Sequence, residues 1–280
     1  MIKNRIFIWI RYLKEFLSFV IFAWLFQRKW KLMETICKNC GRSVNDLFCA
    51  HCGQKASTTR FTLGHLLYEF LHGFFHIDHG ILFTSKELAL RPGRTIRNYL
   101  KGKRISYFNP FTFILVLGGI NALLLKKLHW QSFFIELGML NKNAINQSIW
   151  DSSMEHFTIR LLLSIPIYSI ITYCFYFKKR YTFTEHIVAN TYIRGELNLF
   201  MILMEPFLLI SDTHFFLMTA KFILLFLLII YTGWSYAGLF NEQYKKGGFL
   251  KGLIVAIVST SLELITLNFI ILKKVPNHLF

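Results

Sequence analysis

Five stretches of this chain are long and apolar enough to remove the choice of an ordinary water-facing fold: residues 107–125, 157–177, 187–210, 215–240 and 249–272. A helix needs roughly 20 such residues to cross ~30 Å of hydrocarbon, and in lipid only a helix or a closed barrel satisfies every backbone polar group. The runs are too long for strands, so they predict five transmembrane helices. Composition agrees. Hydrophobic residues make up 54% of the 280 and charged residues 17%, where a soluble domain carries ~25% charge. Such a balance excludes disorder, collagen and small disulfide scaffolds, and it argues against a soluble enzyme. A shorter apolar piece, 132–140, is expected at the surface or as a re-entrant segment.

Basic residues orient the spans, because Lys and Arg gather on the cytoplasmic side. Before the first run stand Arg91, Arg94, Arg97, Lys101, Lys103 and Arg104, whereas only Lys126 and Lys127 follow it closely. The expectation is a multi-pass protein of the bacterial inner membrane with its N-terminus in the cytoplasm and its C-terminus outside. Lys273 and Lys274 run mildly against it. Net charge is +17, which suits a phosphate-rich partner such as anionic lipid.

Residues 1–32 have three readings, of which a sixth span over the apolar stretch 6–26 is the least favoured. Arg11, Lys14, Glu15 and Ser18 recur at helical spacing within an apolar stretch, the pattern of an interfacial helix. Alternatively, translation starts at Met33 and the stretch is spurious.

Cys37-Lys-Asn-Cys40-Gly41 and Cys49-Ala-His-Cys52-Gly53 have the spacing of two zinc knuckles. Two residues between thiolates let both reach one ion, and the following Gly permits the tight turn. Four thiolates without an open position make a structural Zn site, and metal binding of ~10–16 kcal/mol folds a small unit that lacks a core. A cytoplasmic location argues against disulfides. His51 reads as an exposed knuckle residue and Cys174 as a buried packing residue. The loop GRSVNDLF between the knuckles pairs one Arg with one Asp and offers no basic–aromatic surface. Nucleic acid is therefore disfavoured, and a structural cap or docking of a protein partner is expected.

Between this module and the first span, His65, Glu69, His72, His76 and His79 share one helical face. Glu69, His72 and His76 have the spacing of a second metal or proton site. A plainer reading, the polar face of an interfacial helix, stands beside it. RPGRTIRNYLKGKR follows. Pro92-Gly93 is expected to break the chain and Thr95 to start a helix that places Arg94, Arg97 and Lys101 on one side. With Arg91, Lys103 and Arg104 these cations form a candidate lipid or phosphate site, at ~1 kcal/mol per charge. Ordinary topology signalling would produce the same residues.

This order of motifs, with HGFFHIDHGILFTSKEL and RPGRTIRNYLKGKRISYFNPF between the cysteines and the spans, resembles an uncharacterised family of bacterial polytopic membrane proteins. The likeness is closest over residues 37–111 and is mainly hydropathy beyond them. It implies membrane location and the zinc module, and no activity. The residues before Met33 depart from that pattern.

Ionisable groups within spans are costly and usually pair or line a cavity. Arg160, Glu205, Lys221 and Glu263 fall at similar depth, so Glu205 and Lys221 are expected to meet, with Arg160 and Glu263 closing an intramembrane polar cluster. Glu185, His186, Arg194, Glu196 and Asn198 form a second polar patch at the cytoplasmic end.

The expected fold is an all-α membrane protein. Residues 1–32 form the interfacial helix or extension and 33–57 the zinc ribbon. Residues 58–106 hold the His-rich and basic helices, and 107–280 the five-span domain. Three function classes compete: a scaffold or transport-related protein binding lipid headgroups or a small polar ligand; a sensor or assembly factor docking a partner through its ribbon; and a membrane metalloenzyme using Glu69, His72 and His76. There is no P-loop, GxGxxG or Ser-His-Asp pattern to support NTPase, dinucleotide or hydrolase chemistry.

Overall fold

The computed structural model describes residues 35–58, 60–64, 80–125, 157–177, 181–208, 214–240 and 247–273. The expected interfacial helix of 1–32, the histidine stripe with Glu69, His72 and His76, and the 132–140 piece lie outside them. Two compact units divide the chain, Met1–Thr59 and Arg60–Phe280.

In the first unit the strands β1 (Thr35–Ile36) and β2 (Ser43–Val44) pair antiparallel, and Phe48 bridges to Lys55. Little apolar surface is buried: the core is Cys37, Val44 and Cys49, with Cys40, Cys52 and Ala56 packed on it.

The second unit is helical. Among its described residues are α1 (Ile81–Leu90), α2 (Pro92–Leu100), α3 (Pro110–Leu125), α4 (Phe157–Tyr176), α5 (Phe183–Leu208), α6 (His214–Phe240) and α7 (Gly248–Lys273). The helices α4 and α6 have both the length and the apolarity needed to cross a membrane. At 16 residues, α3 is about 24 Å long, short of a full hydrocarbon core. Both α5 and α7 have 26 residues; α5 carries Glu185, Arg194, Glu196 and Glu205 along its length, while Glu263 is the one charge of α7 between Gly252 and Leu272.

Local chemistry sets the helix starts. The Asn109 side chain accepts from the backbone N–H of Phe111 (2.9 Å) and Thr112 (3.4 Å), and Pro110 takes the first helical position, where its missing N–H costs nothing. Before α5, Thr182 and Glu185 form a capping box: the Thr182 N–H donates to the Glu185 carboxylate at 2.8 Å and the Glu185 N–H to the Thr182 hydroxyl at 3.4 Å. The helix thus begins four residues before the apolar run at 187.

The basic helix departs from expectation. Rather than breaking the chain ahead of a helix at Thr95, Pro92 opens α2 itself, because proline is tolerated in a first turn. Thr95 instead donates its hydroxyl to the Glu87 carbonyl at 3.0 Å. The inner face of α2 is Pro92, Gly93, Thr95, Ile96, Tyr99 and Leu100, all buried. It belongs to one core with Leu88 of α1, Phe113 of α3, Tyr192 of α5 and Leu239 of α6. Contact with α6 is backbone to backbone: a Cβ on Gly93 would sit 2.2 Å from the Gly238 carbonyl carbon. A second crossing of this kind joins α6 and α7, where a Cβ on Gly252 would meet the Gly233 carbonyl oxygen at 2.3 Å. Buried hydrogen bonds complete the frame, from Tyr192 to the Phe108 carbonyl (2.6 Å), from Tyr231 to the Leu88 carbonyl (3.1 Å), and from the Phe108 N–H to the Thr84 hydroxyl (2.7 Å).

Polarity is inverted along the long helices. On α4, Tyr168, Ser169 and Thr172 are buried while Ile159, Leu163, Ile167 and Ile170 are exposed. On α6, Lys221, Thr232 and Ser235 are buried while Phe216, Phe222, Ile223, Phe226 and Leu227 face outward. A helix facing water shows the reverse. Cys174, expected as a buried packing residue, is exposed, because it lies on this outward apolar side of α4.

Candidate functional site

Two sites emerge, one in each unit. In the first, all four thiols converge, their sulfurs within 4.8 Å of one another. The Cys37–Cys52 and Cys40–Cys49 sulfur pairs are each 3.6 Å apart. That is far beyond a disulfide bond and close to the ~3.8 Å edge of a tetrahedron with ~2.3 Å metal–sulfur bonds. Each knuckle is built the same way. Gly41 donates to the Cys37 carbonyl and Gly53 to the Cys49 carbonyl, at 2.9 and 2.8 Å; Cys37 donates to Arg42 and Cys49 to Gln54, both at 2.8 Å. Both glycines hold positive φ, +77° and +73°, where a Cβ would be strained.

Backbone amides aimed at sulfur tune the thiols. The Cys40 and Asn39 amides hold Cys37 below the usual thiol range against the opposing effect of burial. The Cys52 and His51 amides draw Cys49 down to about 7. Cys40 is pulled down by the Arg42 amide, yet burial and its three thiol neighbours push it up to about 11. Four sulfurs crowded together share protons that a cation would displace, and the cluster is suited to hold one metal ion. His51 stays exposed on the knuckle.

The second site is a buried polar column in the helical unit. Its spine is α5, where His186, Asn190, Arg194 and Asn198 recur every four residues along one face. At the first rung Arg60 grips Glu185 with both ends of its guanidinium, at 2.9 and 3.1 Å. His186 stacks on Phe240, ring centroids 4.8 Å apart, and its Nδ1 lies 3.0 Å from the Thr172 hydroxyl. Asn190 donates to Ser169 (3.2 Å), Thr172 (3.1 Å) and the His186 carbonyl (2.9 Å), and accepts from the Tyr236 hydroxyl at 2.8 Å. At the next rung Arg194 pairs with Glu263 of α7 and donates to the Tyr168 hydroxyl, while Tyr168 donates to the other Glu263 oxygen. The guanidinium also lies over the Tyr168 ring, 4.6 Å from its centroid. Higher still, Asn198 accepts from Asn121 of α3 at 2.7 Å.

The charged residues expected to cluster are arranged differently from the sequence reading. Glu263 turns to Arg194, which the sequence had placed in the cytoplasmic patch. Arg194 lies eleven positions into α5, about 16 Å along the axis, at mid-helix depth. Arg160 remains within electrostatic reach of Glu263. Glu205, expected to meet Lys221, is buried with no hydrogen-bond partner at either oxygen. Glu196 is likewise buried with both oxygens unpartnered.

The six cations around α2 divide in two. Arg97 reaches the carboxyl end of α6, donating to the Gly238 and Leu239 carbonyls, where positive charge complements the helix dipole. Arg104 lies over the Phe61 ring, 3.8 Å from its centroid. Arg91, Arg94, Lys101 and Lys103 are exposed. Sequence reasoning missed Tyr168, Asn190 and Tyr236, all uncharged. The four-residue recurrence through Asn190 was the signal available for it, and nothing local marks the two tyrosines.

A family described as "Protein of unknown function (DUF3667)" matches residues 78–120, the segment of α1, α2 and the first part of α3. No curated protein and no solved structure shows significant similarity to the chain.

Proposed function

We propose that this chain is a multi-pass protein of a bacterial cytoplasmic membrane. In this reading α3 to α7 are its five spans, the zinc-loaded ribbon and α2 lie in the cytoplasm, and the C-terminus lies outside. Its activity is that of a scaffold or transport-related protein which engages anionic lipid headgroups through Arg91, Arg94, Lys101 and Lys103. The observation that carries the reading is the inverted polarity of α4 and α6: phenylalanines, leucines and isoleucines outside, hydroxyls and the Lys221 ammonium inside. Water would penalise that arrangement and hydrocarbon favours it. Zinc suits four clustered thiolates in a reducing compartment. Leu82, Phe83, Leu90 and Ile105 of the same segment are exposed too; exposed apolar residues interspersed with cations in the sequence suit the headgroup layer.

The test is selective thiol labelling in intact and inverted vesicles. The ribbon cysteines should react, after metal removal, only from the cytoplasmic side. Labelling from the outer side, or recovery of the chain without detergent, would overturn the assignment.

A second reading, a sensor or assembly factor that docks a protein, is favoured by Ile36, Leu47 and Phe48 of the ribbon, which are 73%, 77% and 58% exposed. Its test is whether polar substitutions at these three positions abolish a co-purifying partner while leaving the metal content intact.

A further inference from the structure

The polar column contains a charge imbalance. Two guanidinium groups, Arg160 on α4 and Arg194 on α5, share one carboxylate, Glu263 on α7. Arg194 takes that carboxylate directly, and Tyr168 donates to its second oxygen. Among the described residues, the Arg160 Nε–H finds no acceptor, and Glu263 is the one charge that reaches the guanidinium. The Nε–H groups of both arginines are buried without an acceptor, and so is the hydroxyl of Ser259, one turn before Glu263. In a helix bundle surrounded by hydrocarbon, an uncompensated cation and three unused donors are costly. Among the described residues the cluster holds donors in excess of acceptors and positive charge in excess of negative.

We infer that this place is an oxyanion site: a carboxylate or phosphate group seated between Arg160 and Arg194, with its oxygens accepting from the unused Nε–H groups. The inference rests on the membrane reading above and names the small polar ligand of that domain. Planar guanidinium forks match the oxygens of such anions, and a single negative charge would bring the cluster to neutrality. Glu263 orients Arg194 and keeps it from collapsing onto the ligand, while Tyr168 steadies both. The Glu263 side chain is one-third exposed (33%), so the cluster is open on one side to whatever surrounds the helices. The anion therefore comes either from solution or from the phosphate of a lipid headgroup, and the chemistry of recognition is the same.

Thermal unfolding of the full chain in detergent, followed by tryptophan fluorescence, tests this. Sodium phosphate and sodium acetate are compared with sodium chloride at equal ionic strength, and micelles doped with phosphatidylglycerol with undoped ones. Ligand that binds only the native state raises the midpoint. The expected result is a rise of several degrees with a free oxyanion, with phosphatidylglycerol, or with both, which identifies the source. The rise should disappear in Arg160→Gln. It should persist when Arg91, Arg94, Lys101 and Lys103 are all changed to Gln, which separates this site from the α2 surface. In chloride alone, Arg160→Gln should melt no lower than wild type, because it removes an unpaired charge. No rise in any arm, a rise that survives Arg160→Gln, or an Arg160→Gln variant that melts lower in chloride would each overturn the inference. Recovery of the chain without detergent would instead defeat the membrane reading on its own.

Discussion

Gly93 and Gly238 touch backbone to backbone, so that α2 crosses the end of α6 with no side chain between them. Arg97, one turn further along α2, holds the same end of α6 by its carbonyls. This crossing seats an otherwise basic, nine-residue helix within the core of the second unit.

Substitution of Gly93 should therefore be severe. In Gly93→Ala the new methyl has only backbone to push against, and a cost of about 3 kcal/mol is expected. Gly119→Ala is the control, since nothing lies within 4 Å of its Cβ and alanine favours helix by about 0.5–1 kcal/mol. Unfolding midpoints in detergent should move in opposite directions for the two variants.

Removal of metal should unfold the ribbon and spare the rest. Its core is three residues deep and cannot hold it alone. Chelation, or Cys49→Ser, should abolish bound metal in elemental analysis and open 35–58 to protease. The helical unit should melt as before.

Asn190 joins three helices through Ser169 and Thr172 of α4, its own α5 and Tyr236 of α6. Asn190→Leu strands the Tyr236 hydroxyl and takes away the two amide N–H donors shared among Ser169, Thr172 and the His186 carbonyl, a loss of about 3 kcal/mol. Asn190→Asp tests the alternative that polarity alone suffices: it keeps the acceptor, loses the donor, and adds an unpaired charge, so it should be at least as damaging. Both are read by thermal unfolding.

Among the basic residues the effects should separate. Gln at Arg91, Arg94 and Lys103 together should leave the unfolding midpoint in neutral detergent unchanged and reduce stabilisation by anionic lipid to the part that depends on Arg160. Arg97→Gln should lower the midpoint in neutral detergent by itself, by about 1 kcal/mol in stability.

Different parts of this molecule were legible to different degrees. The cysteine cluster could be read directly, because Cys-x-x-Cys-Gly encodes its own turn within five residues. The long helices were visible as apolar runs, although the capping box at Thr182 and Glu185 moved one start by four positions. Partnership between helices was not visible. Arg194 and Glu263 are 69 residues apart, and no local pattern states that α7 presents Glu263 to Arg194 while Glu205 remains unpartnered. The start of α2 was misread because proline and glycine usually interrupt a helix; here proline opens it and glycine provides the crossing.

Because α2 is held by its buried face, its backbone crossing and Arg97, the exposed Arg91, Arg94 and Lys103 lie outside that hold. Such a surface is free to change: selection could exchange, neutralise or invert those side chains to suit another leaflet or another host, and the scaffold beneath would not register the edit.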